Sequence, residues 1–202
     1  MASRREFLQI GIAASALPIA SGALSPEVLS ASEGLAREPL YTVVFDERFP
    51  DSVTFGAEMR RLGAPTVGMT GDITDLWYRD LYARWKTGPV AIAGLTAHGP
   101  LFCLERLAWD HGMRVVFRAD HRYVANGCIE HALAGPAVML RQAADLVTGA
   151  PDWATLVAHV VARCPQSRVQ ASTTTIVTPV TRPVDLEAEP LISWVIAAKP
   201  RA

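Results

Sequence analysis

The stretch "LYTVVFDERFPDSVTFGAEMRRLGAPTVGMT", residues 40–70, decides the fold of this chain. It opens with Leu40–Phe45, an apolar and β-branched run that is typical of a strand buried on both faces. The stretch closes on "PTVGMT", which again favours a strand. Between them a helix is expected, capped by Asp51 or Ser52, because apolar residues recur at helical spacing: Phe55, Met59 and Leu62.

The same alternation continues downstream of this first strand–helix–strand unit. Helices are predicted for residues 71–88 and 98–112, and strands for residues 89–96 and 113–119. Strands that are joined by helices run parallel, and their crossovers are right-handed. The pattern therefore predicts an α/β fold, a mainly parallel, doubly wound (Rossmann-like) sheet with helices on both faces.

The pattern changes in the C-terminal third of the chain. Residues 135–149 and 151–164 favour two consecutive helices, and residues 168–180 and 190–199 favour two strands. The segment between these strands is too short to hold a helix, so an antiparallel hairpin is expected. Prolines in and after its first strand favour a position at the edge of the sheet.

Composition excludes several classes of protein. The chain has 202 residues, 50% of them hydrophobic and 19% charged, which suits an ordinary packed core. Nineteen basic and 20 acidic residues give a net charge of −1, which argues against a nucleic-acid-binding protein. The three cysteines, Cys103, Cys128 and Cys164, form no CxxC motif and are expected to be small buried hydrophobic residues.

The N-terminal segment concerns export. In "SRREFLQIG", residues 3–11, two arginines precede Phe-Leu, and an uncharged run of small and apolar residues then extends to about Leu24. This resembles a twin-arginine (Tat) signal peptide, with Gln9 at the position that is basic or polar in the usual pattern. The run is too short, and too rich in small residues, for a membrane span. The predicted organisation is a signal peptide at 1–24, an N-terminal arm at 25–39 and a single α/β domain at 40–202.

The resemblance implies a periplasmic location and recognition of Arg4 and Arg5 by the Tat translocase. That route carries folded proteins, which commonly hold a cofactor or travel with a partner that does. The chain itself has no GxGxxG, Walker or GxSxG motif, so no cofactor is indicated by motif. An alternative is therefore an accessory subunit of a larger cofactor-bearing oxidoreductase, with part of an aromatic set facing the partner: Trp77, Tyr78, Tyr82, Trp85 and Trp109.

Polar residues follow each of the four predicted parallel strands. Ligands of open parallel sheets bind outside the carboxyl ends of the strands, so these residues are the candidates for a site. They are, in chain order, Asp46, Glu47 and Arg48; Thr70, Gly71 and Asp72; Gly94, Thr96, His98 and Gly99; and Arg118, Asp120 and His121.

Two roles are assigned within this set, and the ligand is expected to be small and polar or carboxylated. Imidazole titrates near neutrality and a carboxylate can orient it, which makes a general acid–base set of His98, Asp120, His121 and Glu47. The glycine-bounded turn "GLTAHGP", residues 94–100, exposes backbone N–H groups that suit an anion. Ligand or anion binding is accordingly assigned to Asp46, Arg48, Asp72, Thr96 and Gly99. Turn formation and helix capping are the structural alternative for these residues.

The segment "DHRYVANGCIEH", residues 120–131, also holds residue types that zinc accepts. Their spacing matches no standard metal motif, and Asn126-Gly127 predicts a turn. Metal binding is therefore a secondary possibility here, and no metal ligand is assigned.

Overall fold

The computed structural model describes residues 39–146, 152–165, 171–180 and 185–198. The predicted signal peptide, and nearly all of the predicted arm, lie outside the described residues. Within the part of the chain that is described, no helix has the length and apolarity that a membrane span needs.

The described residues form a seven-stranded sheet and the helices that cover it. The strands are β1 (Thr42–Asp46), β2 (Thr66–Met69), β3 (Ile92–Thr96), β4 (Met113–Val124), β5 (Cys128–Pro136), β6 (Ala171–Pro179) and β7 (Leu191–Ala198). The helices are α1 (Pro50–Arg61), α2 (Thr74–Leu76), a π-helical turn (Trp77–Leu81), α3 (Tyr82–Thr87), α4 (His98–Asp110), α5 (Ala137–Leu146) and α6 (Trp153–Ala162).

The first half of the chain follows the sequence prediction. Strand β1 lies between β2 and β3 and is parallel to both, with Val43 aligned to Thr66 on one side and to Ala93 on the other. Helix α1 begins at Pro50, and its N-cap is Phe49 rather than the predicted Asp51 or Ser52. The Ser52 hydroxyl is buried instead, where it accepts from the Asp46 N–H at 2.7 Å and donates to the Leu95 carbonyl. It thereby joins β1 to β3.

The second half of the sheet is antiparallel, so the prediction of a mainly parallel sheet is wrong. The strand order is β2-β1-β3-β7-β4-β5-β6, and every pairing beyond β3 is antiparallel. The predicted C-terminal edge hairpin is also wrong: β7 lies between β3 and β4, while β6 pairs with β5 at the outer edge. Seven of the eight residues of β7 are buried, which fits this central position.

Strand β4 is longer than predicted and forms a hairpin with β5. The predicted Asn126-Gly127 turn is confirmed: both residues have positive φ, 67° and 65°, in the three-residue loop that joins Val124 to Cys128. The hairpin aligns His121 with His131 on neighbouring strands. A single β-branched run therefore predicted only the first half of a 12-residue strand.

Two apolar cores lie on opposite faces of the sheet, since alternate residues of β1 enter different cores. Val43 and Phe45 pack with residues of α1, α5 and α6 on the first face. Val44 packs with residues of the α2–α3 segment and of α4 on the second face. On the second face the Trp194 ring lies so close to Gly94 that a Cβ there would be 2.5 Å from it, which accounts for the glycine.

Candidate functional site

Three of the predicted residues at the end of β1 contact the neighbouring loop and one another. The Arg48 guanidinium donates to both carboxylate oxygens of the fully buried Asp46, at 2.9 and 2.7 Å. The same guanidinium lies against Gly71, and the Glu47 side chain lies against Gly68. The ends of β1 and β2 thus meet as predicted, and the Asp46–Arg48 pair stabilises their junction.

Asp72 follows β2 and acts as a local turn former. Its Oδ1 accepts from the Thr74 backbone N–H at 2.8 Å and from the Thr74 hydroxyl at 2.6 Å. These hydrogen bonds hold the pKa of Asp72 below its usual value.

The predicted residues after β3 do not face a common site. Thr96 is fully buried, accepts from Trp194 Nε1 at 3.1 Å and donates to the Ala97 carbonyl at 2.9 Å. His98 and Gly99 are exposed in the first turn of α4, where the His98 ring stacks on Phe102.

The predicted residues of β4 lie within the strand, and its alternation separates Asp120 from His121. Asp120 accepts from the Arg118 guanidinium at 2.9 and 2.7 Å on the second face of the sheet. His121 points into the first face. The acid–base set of His98, Asp120, His121 and Glu47 is therefore not assembled, because neighbouring residues of a strand project to opposite faces.

The same alternation disperses the secondary metal candidate. His121 and His131 are on the first face, whereas Asp120 and Glu130 form ion pairs with Arg118 and Arg122 on the second. Among the described residues, no three His, Cys, Asp or Glu side chains are grouped as metal ligands. Cys103 is exposed rather than buried, because it lies outside the buried stripe of α4.

A pair of buried histidines is the most unusual polar feature of the described residues. His121 Nδ1 and His131 Nδ1 are 2.7 Å apart, and the side chains are 3% and 6% exposed. One Nδ1 must carry a hydrogen and the other must accept it, so the two neutral rings have opposite tautomers. The outer nitrogens bond to hydroxyls: His121 Nε2 lies 2.8 Å from Ser193 Oγ, and His131 Nε2 lies 3.0 Å from Thr178 Oγ1.

This His pair, with Ser193 and Thr178, forms a continuous chain across β7, β4, β5 and β6. Burial, together with the nearby His131, holds the pKa of His121 well below 6.5. Burial also lowers the pKa of His131 to about 4. Both imidazoles are therefore neutral at neutral pH. Because all four ring nitrogens are engaged, neither histidine has a nitrogen available to a ligand.

Two cavities adjoin the His pair, and both are lined by His121 and Trp153. The inner cavity, about 40 Å³, lies between the sheet and α5 and α6 and is almost entirely apolar. The edge cavity, about 230 Å³, opens where β1 and β4 end and β7 begins. Its lining is Phe49, Pro50, Asp51, His121, Tyr123, Ile129, Trp153, Asp185, Ala188, Glu189 and Leu191.

The edge cavity combines an apolar wall with polar groups at one side. The Tyr123 hydroxyl donates to Asp51 Oδ2 at 2.6 Å, which joins the end of β4 to the start of α1. Trp153 lines the inner side of the edge cavity, and its ring centroid lies 4.6 Å from the centroid of the His121 ring. Trp153 is 7% exposed, and its Nε1 is the one buried side-chain nitrogen or oxygen of the described residues that has no hydrogen-bond partner.

The strand-end rule directs attention to the edge of the sheet where the edge cavity opens, but not to most of the residues that line it. The sequence predicts Asp51 as a helix cap and His131 only as a secondary metal ligand, and it assigns no role to Trp153. Tyr123 was detectable, since it lies two residues after His121 and shares its face once β4 is extended. Ser193 and Thr178 require the positions of β7 and β6, which the sequence pattern predicted incorrectly.

The predicted aromatic set divides between core and surface. Trp77 and Trp85 are buried against each other, whereas Tyr78, Tyr82 and Trp109 are 73%, 41% and 41% exposed. Phe102, on α4, is 51% exposed and was not predicted to be part of this surface.

No family model, curated protein or solved structure matches this chain. The function of this protein is therefore inferred from the residues and cavities described above.

Proposed function

We propose that this protein is exported by the Tat pathway and binds a small molecule in the edge cavity. Export rests on the sequence of residues 3–11 and on the expected recognition of Arg4 and Arg5. Binding rests on one observation above all: a cavity of about 230 Å³ at the carboxyl ends of the parallel strands, whose lining combines the buried Trp153 with the hydrogen-bonded pair Tyr123 and Asp51.

The position of the edge cavity supports the proposal. Helices cover both faces of the β2-β1-β3 end of the sheet, and we propose that this end is a doubly wound unit. In such a unit the binding crevice lies beyond the strand ends, which is where Phe49, Asp51 and Tyr123 line the cavity. A cavity of about 230 Å³ suits a compact ligand rather than a dinucleotide.

For acid–base or hydrolytic chemistry, the proposal assigns the reacting position to Tyr123 and Asp51. Their side chains line the cavity and share a 2.6 Å hydrogen bond, so a proton can be exchanged between phenol and carboxylate beside a bound ligand. His98 and Asp120 do not line it. His121 lines it with a ring whose nitrogens are both engaged, so its role is to position the wall.

Binding is tested by titrating ¹⁵N-labelled protein with 2-phenylethanol, 2-phenylethylammonium and 3-phenylpropionate. We expect at least one to shift the indole N–H resonance of Trp153, assigned from its absence in Trp153→Phe. The matched control is Trp109→Phe, which alters an exposed tryptophan on the other face. Loss of affinity in Trp153→Phe but not in Trp109→Phe supports the proposal. Absence of any shift at Trp153, Tyr123 and Ala188 at millimolar ligand contradicts it.

Export is tested separately by replacing Arg4 and Arg5 with lysine. We expect the full-length chain to accumulate in the cytoplasm, whereas the control Arg37→Lys is exported like the original chain. Equal periplasmic amounts of the three proteins would contradict Tat export.

A second candidate function, an accessory subunit of a larger cofactor-bearing oxidoreductase, is favoured by exposed aromatic residues on the second face. Trp77 contacts Tyr82 and His111, which links the α2–α3 segment to the end of α4 that carries Trp109. We expect the double variant Phe102→Ser, Trp109→Ser to lose a co-purifying partner that has flavin, haem or iron–sulfur absorption. The control Val177→Ser, an exposed residue of β6, should retain it. Purification of the original chain without such absorption would contradict this alternative.

A further inference from the structure

We infer that Asn126, in the loop of the β4–β5 hairpin, is a site of spontaneous modification, at which the side-chain amide is lost through a cyclic imide formed with Gly127. Neither residue lines the edge cavity, so this chemistry is independent of ligand binding there. Asn126 is the single asparagine of the 202-residue chain. Loss of an asparagine amide can thus occur at this position alone.

The two reacting groups are accessible to each other and to water. Asn126 and Gly127 are both exposed. The Asn126 side-chain amide and the Gly127 N–H have no hydrogen-bond partner in the part of the chain that the structure describes. Glycine has no Cβ, so no side chain hinders the approach of its nitrogen to the Asn126 side-chain carbon. Ring closure in this loop therefore requires no buried contact to be broken.

The backbone of the loop does not hold the Asn126 side chain away from Gly127. The described hydrogen bonds of the loop are accepted by its carbonyl oxygens: that of Gly127 accepts from the Val180 N–H at 2.7 Å, and that of Asn126 accepts weakly from Cys128 Sγ at 3.7 Å. Asn126 has a φ of 67°, a left-handed conformation that is strained for residues other than glycine. Leaving this conformation during ring closure therefore costs little.

The reaction needs only water as a co-reactant. The Gly127 nitrogen loses its proton to solvent and bonds to the Asn126 side-chain carbonyl carbon, and the amide nitrogen takes up a proton and leaves as ammonia. Water then adds to one of the two ring carbonyl carbons and breaks the bond from that carbon to the Gly127 nitrogen. Opening at the side-chain carbon gives aspartate, and opening at the main-chain carbon gives β-aspartate. Either product exchanges NH₂ for OH, a gain of about 1 Da, and adds a negative charge.

The two products have different effects on the fold. Aspartate retains the main chain and, like asparagine, tolerates the left-handed conformation. β-Aspartate adds one carbon atom to the main chain between residues 126 and 127. This insertion moves the Gly127 carbonyl away from the Val180 N–H, whose hydrogen bond fastens the end of β6, the outer strand of the sheet, to the hairpin. The β-aspartyl form therefore loosens this edge, and an unpaired edge favours association with other chains.

The modification is tested by incubating the folded full-length chain in neutral and in mildly alkaline buffer and measuring its mass at intervals. We expect a gain of about 1 Da in the peptide that contains Asn126. The gain should be faster in the alkaline buffer, because the Gly127 nitrogen must lose its proton before it attacks. The rate in the folded chain should lie within about tenfold of the rate in guanidinium chloride, since opening a loop costs little. An isoaspartyl methyltransferase, which methylates β-aspartate, distinguishes the two products.

Two variants are the controls. Asn126→Gly retains a residue that adopts the left-handed conformation and has no amide, so its mass should not change. Asn126→Asp supplies the aspartate product directly, and its Val180 amide should stay protected from hydrogen exchange. In the β-aspartyl form of the original chain, we expect the protection of the Val180 amide to fall by about tenfold or more.

Three results would count against this chemistry. A mass gain that Asn126→Gly shares would place the reaction at a glutamine and overturn the inference. A rate in the folded chain more than about tenfold below that of the unfolded chain would show that the fold protects Asn126, and would overturn it as well. Unchanged protection of the Val180 amide in the β-aspartyl form would contradict the effect on β6.

Discussion

The two ends of the sheet use polar residues differently. At the parallel end, β2-β1-β3, the polar residues stand at strand ends and stabilise turns, as in the Asp46–Arg48 ion pair and the Asp72 turn. At the antiparallel end, polar residues stand inside long strands, where His121 and His131 face each other beneath Trp153. The edge cavity lies where the two ends meet. Polar residues at a strand end are thus accounted for by turns and ion pairs, without any ligand. Buried polar residues within a strand have no such local reason and need another explanation.

The largest expected effect would break the antiparallel end. His131→Leu leaves two buried groups without the hydrogen bond that they share with the His131 ring: the His121 Nδ1 and the Thr178 hydroxyl. We expect the free energy of unfolding to fall by about 4 kcal/mol, measured by urea denaturation.

Two controls accompany this variant. Glu130→Gln alters the neighbouring residue on the other face and should cost less than about 1 kcal/mol. The double variant His121→Leu, His131→Leu should cost less than the sum of the single variants, since no imidazole is then left unpaired. Additive costs would show that the His pair is not coupled.

The second prediction concerns pH and the same His pair. In the unfolded chain both imidazoles bind protons near pH 6.5, whereas burial in the folded chain lowers the pKa of His131 to about 4. The unfolded state therefore binds more protons between these values, and stability falls as the pH is lowered from about 6.5 to about 4. We expect His131 to contribute a loss of about 3 kcal/mol over this window.

The measurement is the difference in unfolding free energy between the original chain and the double leucine variant at several pH values. Subtraction removes the contribution of the carboxyl groups that titrate in both proteins. A difference that does not change between pH 7 and pH 4 would contradict the low pKa of the pair.

The third prediction probes the parallel end. Ser52→Ala removes the buried hydroxyl that joins the Asp46 N–H to the Leu95 carbonyl. We expect a cost of about 2 kcal/mol in unfolding free energy. The control Thr54→Ala, in the same helix, should cost less than half as much. Equal costs would remove the claim that Ser52 links β1 to β3.

The smallest effects are expected from two residues of the acid–base set that the sequence predicted. His98→Ala and Asp120→Asn alter exposed or half-exposed groups away from the edge cavity, so each should change stability by less than about 0.5 kcal/mol. The affinity of the edge cavity for a ligand, measured from the Trp153 indole N–H resonance, should remain unchanged in both variants. A loss of binding in either variant would show that the altered residue contributes to the site, and it would weaken the contrast between the two ends of the sheet.

The parallel end was predictable from sequence because its strands are short and two of the three, β1 and β3, are buried along their whole length. The Leu40–Phe45 run and the helical spacing of Phe55 and Met59 specify element type without knowledge of neighbours. The antiparallel end was not predictable in this way. Strands β4 (Met113–Val124) and β5 (Cys128–Pro136) form a hairpin in which polar and apolar residues alternate. The sequence predicted the turn of this hairpin but not its second strand. The placement of β7 depends on long-range pairing, which local patterns do not contain.

The candidate site was predictable only as a location. The rule that ligands bind beyond strand ends leads to the edge where the edge cavity opens, and the sequence predicts Asp51 there only as a helix cap. The pairing of His121 with His131 needed the register of β4 on β5, and the unpartnered Trp153 N–H needed the packing of α6 on the sheet. Both are properties of tertiary structure.

The central position of β7 has a consequence for when this protein can finish folding. Strand β7 is the last strand in sequence order, yet it is the only described strand that joins β3 to β4. Until Leu191–Ala198 has been synthesised, both halves present an unpaired strand edge, which favours association with other chains. Closing contacts such as Trp194 to Thr96 span 98 residues, and contacts of such separation slow folding. If the chain follows an export route that accepts folded cargo, insertion of this strand is the step that makes it competent to leave the cytoplasm.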